Sequence, residues 1–181
     1  MTRVTPLVAW LPAVLLVNAV AAEAQEAESA TWPVRIVRAG SPQQALVTPR
    51  SIYGGTDPAR PQSPPDGQRW LIIGAVLTAP AGPATLSERE ITVKADGTDH
   101  RLFAIATLPQ TGEPSFLPLS ESDGIVAIDE NADARWVIRD GAITFERRVT
   151  DRVALAFLVP RHATTLRLQI GKSVSVPIRL P

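Results

Sequence analysis

His100 and His162 are the only imidazoles in this chain of 181 residues, and it has no cysteine. Acid–base, nucleophilic or metal chemistry near neutral pH would therefore rest on two rings, a set of carboxylates and hydroxyls. Thiolate zinc, iron–sulfur clusters, cysteine nucleophiles and thiol redox chemistry are excluded. A hydrolytic triad would need a serine beside one of the histidines, and no G-x-S-x-G elbow is present. Asp99 and His100 are adjacent in sequence, but neighbouring residues of a strand point to opposite faces. His162 lies in "LVPRHATTL", where Pro160 ends one apolar strand and Arg161 to Thr164 turn a corner towards the next. An exposed loop tip, outside the core, is the natural place for it. A periplasmic hydrolase or metal-dependent enzyme using His100 or His162 is the alternative reading. It requires the two rings to meet each other, or a carboxylate cluster, in a cleft.

Metal and ligand patterns are thin. "DENADARWVIRD" sets Asp129, Asn131 and Asp133 at positions 1, 3 and 5 of a calcium loop, with Asp140 at position 12. Ala134 stands where glycine would allow the sharp turn, and "RWVIRD" reads as a strand that carries Asp140 away. A solvated turn between strands accounts better for the stretch, which leaves Asp129, Asn131 and Asp133 as a weak calcium candidate. Glu88 and Glu90 sit on one face before "ITV" as a solvated acidic pair. Gly54-Gly55 lacks the context of a phosphate cradle, and no cofactor-binding pattern appears. Trp70 and Trp136 begin apolar strands and are expected in the core. Trp32, at the domain entrance, and Tyr53, in a long loop, are the partner-binding candidates.

The elements that would position these residues are strands. No window carries a sustained helical spacing of apolar residues, and short runs of period two alternate with turn residues. "VRIVRA" alternates, and "RWLIIGAVLTAP" is apolar enough to be buried on both faces. "ITVKADGTDHRLFAI" and "RWVIRDGAITFERRV" each place Asp-Gly between two strand patterns, the dipeptide of a two-residue hairpin turn. "LQIGKSVSV" offers a third hairpin through Gly171-Lys172. Val174, Val176, Ile178 and Leu180 would then face the core, with Pro177 marking an edge. Val153, Leu155, Phe157 and Val159 take one face of a strand, and Ala154, Ala156 and Leu158 the other. About eight to ten strands of this kind predict an all-β, antiparallel, immunoglobulin-like β-sandwich. Residues 40–68 hold six prolines and four glycines, too long for an ordinary connection. This proline-rich loop reads as a surface excursion with a short strand at "ALVT" or "RSIY". Residues 108–124 are similar in kind.

Arg3, the apolar run Leu7–Val20 and the small residues of "AVAAEAQ" form a signal-peptide pattern, with cleavage after Ala21 or Ala24. The expected division is a signal peptide over 1–24, a short linker over 25–32 and one sandwich domain over 33–181. Export is therefore expected, to the periplasm or beyond the cell, with no stable membrane span after cleavage. Basic and acidic residues balance at 18 each, so bulk charge makes no case for nucleic acid or an anionic membrane.

The order of "RWLIIGAVLT", "ITVKADGTDHRLFAI" and "VALAFLVPRHATTLRLQI" resembles bacterial exported immunoglobulin-like domains of unassigned function, often found in lipoproteins. The resemblance spans roughly Val34 to Ile170 and rests on hydrophobic pattern. It implies the sandwich fold and export, and carries over no catalytic residues. This chain lacks the lipid-anchor cysteine, and Gly124–Phe145 adds a hairpin outside the pattern. The function expected is a non-enzymatic binding module of the envelope, meeting a protein or cell-envelope partner through loops or sheet edges.

Overall fold

In the computed structural model, residues 25–27, 32–48, 58–78, 84–119, 126–129, 134–139, 142–145, 150–171 and 174–181 are described. The signal-peptide stretch, Tyr53 and the "RSIY" segment lie outside them.

Fifteen strands occur among these residues. The first five are β1 (Gln25–Ala27), β2 (Val34–Gly40), β3 (Ala45–Val47), β4 (Arg60–Gln62) and β5 (Gln68–Thr78). Then come β6 (Ala84–Ser87), β7 (Ile91–Ala95), β8 (Thr98–Thr107), β9 (Ser115–Pro118) and β10 (Val126–Asp129). The last are β11 (Ala134–Arg139), β12 (Ala142–Phe145), β13 (Thr150–Pro160), β14 (Leu166–Ile170) and β15 (Val174–Pro177). Eight of them form the main path, in the order β1-β2-β5-β13-β8-β7-β14-β15. Pairing along it is antiparallel throughout.

The fold is an antiparallel β-sandwich because this path doubles back on itself. Val34, Leu71, Ile73, Leu77, Leu155 and Phe157 of β2, β5 and β13 share one apolar cluster with Ile91, Val93, Leu168 and Val176 of β7, β14 and β15. The hinge is β8, whose first half pairs with β7 and whose second half pairs with β13. A register shift between Ala156 and Phe157 against Leu102–Ala104 marks the bend.

The Asp-Gly hairpin joins β7 to β8 as expected. Asp96 has φ 46° and Gly97 φ 89°, the pair of positive angles that a two-residue turn between twisted strands requires. The pairing of Arg139 with Ala142 leaves two residues, 140 and 141, between β11 and β12. That hairpin, unplaced by the sequence pattern, belongs to a separate four-stranded sheet in the order β10-β11-β12-β6. Leu86 and Ile143 anchor it in the main core.

A second core lies on the other face of β5, β13 and β8. Trp70, Ala104, Ala106, Ala154 and Ala156 supply its floor, and Ala45, Val47, Leu108 and Phe116 its cover. The cover comes from the two proline-rich segments, which meet instead of projecting separately. β3 pairs in parallel with β9 and antiparallel with β4, while β9 pairs back onto β8. The "ALVT" strand is present as β3, and the loop around it is a structural layer. Burial of both faces explains why β5 and β13 read as nearly continuous apolar runs. Gly74 serves this layer: a Cβ there would lie 2.9 Å from Cγ of Arg38 and 2.9 Å from Cδ2 of Leu108.

Candidate functional site

The residues singled out for chemistry gather at one end of the sandwich, where the β13–β14 corner meets the β7–β8 hairpin. His162 is exposed on the turn after Pro160, as its sequence context implies. Beneath it the corner is latched by Asp96. The Asp96 carboxylate accepts hydrogen bonds from the Thr165 amide at 2.8 Å, the Thr164 amide at 3.1 Å and the Thr164 hydroxyl at 3.3 Å. The Asp96 amide in turn donates to the Thr165 carbonyl at 2.9 Å. The Thr165 amide bond, above all, holds the Asp96 carboxyl below its ordinary range, against a smaller opposing effect of desolvation. The Thr164 bonds and the nearby His162 charge add to the lowering. The turn residue thus uses its positive φ to aim a carboxylate at orphan amides of a corner 68 residues away.

His100 lies on the opposite arm of the hairpin. It stands opposite Val93, a core residue with no exposed surface, so its ring is on the inner face of β8. The ring is half-buried, and its Nε2 is buried without a hydrogen-bond partner. Arg69 enters the same end from β5 and donates from Nη2 to the Ala163 carbonyl at 2.7 Å. Its buried Nε and the Oε1 of Gln68 are likewise unpartnered. Asp99, beside His100, points the other way and pairs with Lys94 at 3.7 Å. Both of these side chains are exposed, so that pair contributes little.

The remaining candidates lie apart from this end. Asp129 closes β10 and is paired with Ala134, so residues 130–133 connect a hairpin. Asn131 and Asp133 lie outside the described residues, and no group of three metal-ligating side chains occurs among the described residues. Glu88 and Glu90 form a short 3₁₀ turn and not a strand face. The Glu90 side chain accepts from the Ser87 amide at 2.9 Å, and the Ser87 hydroxyl accepts from Arg89, a capping box. Trp32 is 8% exposed and packs in the main core. Trp70 is wholly buried in the second core: its indole donates to the Gln62 carbonyl at 2.9 Å, and its ring meets Phe103 edge-on at 5.1 Å.

Sequence reasoning missed one arrangement on the outer face of the wall. A register shift between Ile36 and Arg38 places Arg35 opposite Val76 and Arg38 opposite Gly74. Three residues of β2 thereby span two of β5, so both arginines emerge on one face. Arg152 stands opposite Val76 from the other side. All three arginines are exposed, and none forms an ion pair with a described residue.

No family model matches the chain, and no curated protein matches it significantly. Among solved structures it is similar to an uncharacterized β-sandwich protein from Clostridium difficile 630. The TM-score is 0.45 at 9% identity, with 86% of this chain and 91% of that one covered. It is also similar to a candidate lipoprotein from Bacillus subtilis, with TM-score 0.42 and 14% identity. There 86% of this chain is covered, and it spans 38% of the Bacillus chain. No helix among the described residues is long and apolar enough to cross a membrane.

Proposed function

We propose that the protein is an exported, non-enzymatic binding module of a bacterial envelope. Residues 1–24 act as the export signal, and the rest forms one sandwich domain in the periplasm or outside the cell. The observation that carries this reading is the use made of its polar groups. Asp96, Thr164, Thr165, Ser41 and the Trp70 indole all bond across the fold and hold its corners and second core in place. Partner contact is then left to exposed faces and loops. Strand addition is hindered at β4 and β15, which carry Pro61 and Pro177 and cannot donate there to a ladder, whereas β6 and β10, the edges of the four-stranded sheet, carry no proline.

The enzymatic alternative is favoured by the half-buried ring of His100, whose Nε2 has no hydrogen-bond partner, at the same end of the sandwich as the exposed His162. The two readings separate on one comparison, the wild type against the His100→Ala/His162→Ala double variant. The module reading expects both to recover the same partner from native envelope. It also expects neither to turn over ester, phosphoester or peptide substrates, with or without divalent metal. Turnover by the wild type that the double variant lacks would reverse the assignment.

A further inference from the structure

We infer that the outer face around Arg35, Arg38 and Arg152 binds a linear phosphate polymer. The inference rests on the binding-module reading and names the ligand chemistry that one face of the module would take.

The fold places the three arginines at neighbouring positions on one face. The bulge in β2 brings Arg35 and Arg38 to one face, and Gly74 leaves room for the Arg38 stem, whose Cγ would be 2.9 Å from any Cβ there. Arg35, Val76 and Arg152 lie in one row across three strands, which sets the two arginine Cα atoms about 10 Å apart. Arg38 stands about 7 Å along the strand from that row. A phosphate chain offers each guanidinium its own group, so it would gain more charge-assisted contacts than a single phosphate. Arginine presents a planar fork suited to phosphate oxygens. Val76 is 8% exposed yet belongs to neither apolar cluster, which fits a floor sheltered by the stems of the flanking arginines.

The surroundings select the shape of the ligand. The layer of β3, β4 and β9 rests on this same face of the wall and meets it at Leu108, which packs over Gly74. Stacked layers are about 10 Å apart, so the arginines lie at the foot of a step. A flat bilayer is held off by that step, and a thin chain can lie along it. A single-stranded nucleic acid would want exposed aromatic platforms; among the described residues on this face of the wall, Trp70 is wholly buried and Phe103 packs against it in the second core.

The test is binding of long-chain inorganic polyphosphate to the mature protein, followed by fluorescence anisotropy at low and moderate salt. Arg38→Gln/Arg152→Gln should weaken binding at least tenfold and flatten the salt dependence by about two charges' worth. Arg101→Gln/Arg179→Gln, with the same change in net charge, should stay within twofold of the wild type. Thermal melts of each variant confirm that the fold is retained. Equal losses in both double variants, no measurable polyphosphate binding, or preference for anionic vesicles or single-stranded DNA would overturn the inference. Partner capture from native envelope that persists in Arg38→Gln/Arg152→Gln would overturn this face while leaving the module standing. Absence of any capture by the wild type would remove the module reading itself.

Discussion

Trp70→Phe removes one hydrogen bond and part of one ring from the second core, and its consequence can be worked through. The indole Nε1 donates to the Gln62 carbonyl at 2.9 Å, and the ring has no exposed surface. Loss of that bond is worth about 1 kcal/mol net, because Gln62 is exposed and its carbonyl can turn to water. The smaller ring leaves a void of a few tens of Å³, which at about 24 cal/mol per Å³ adds about 1 kcal/mol. The total of about 2 kcal/mol corresponds to a fall in Tm of about 4–8 °C for a domain of this size. Trp70→Ala should lose about 3–5 kcal/mol. Urea titration followed by far-ultraviolet circular dichroism measures both, and hydrogen exchange locates the effect. Protection should fall first in 45–47, 60–62 and 115–118, while β7 and β14 keep theirs. A Trp70→Ala variant within 0.5 kcal/mol of the wild type, or uniform loss of protection, would show that the outer layer is not part of the cooperative fold.

Other changes should behave as follows. Gly74→Ala forces a methyl group against Arg38 and Leu108, and should cost about 1–3 kcal/mol in a urea titration. Asp96→Asn tests the latch through pH. The folded-state carboxyl is lowered by the Thr165 and Thr164 bonds, so its contribution is fully present above the unfolded value of about 3.9 and is lost as pH falls through the folded value. The stability gap between wild type and Asp96→Asn should therefore be constant above pH of about 5 and close in acid; a gap that widens in acid would contradict the latch. Removing residues 60–62 should unfold the second core before the first in the same exchange experiment.

The hairpins and the main core were legible in the sequence because their signals are local. Asp96-Gly97 dictates a turn through two positive φ angles, and Val153 to Val159 display both faces of a doubly buried strand within seven residues. The second core was not legible. Its cover is Ala45, Val47, Leu108 and Phe116, four residues scattered through proline-rich segments with no period to betray them. The β3–β9 pairing is parallel and long-range, so no turn dipeptide announces it. The contact between Asp96 and Thr164–Thr165 spans 68 residues, and threonines in a loop carry no mark of the carboxylate that will hold them. The arginine face was hidden for a different reason: strict alternation puts Arg35 and Arg38 on opposite faces, and only the bulge in β2 reunites them. His162 at an exposed corner was legible from Pro160 alone, whereas the buried Nε2 of His100 was not, since a polar hairpin arm gives no hint of which face turns inward.

The most direct test of an exported, non-enzymatic binding module is site-specific photocrosslinking in cells that make the protein natively. Photoreactive residues would replace Gln43 and Gln44, exposed beside β3 in the outer layer, and Arg101 on the opposite layer, leaving Arg35, Arg38 and Arg152 in place. The expected result is a discrete adduct from Gln43 or Gln44, none from Arg101, and no change when His100 and His162 are both alanine. Adducts absent at all three positions, or adducts that vanish with the two histidines, would contradict it.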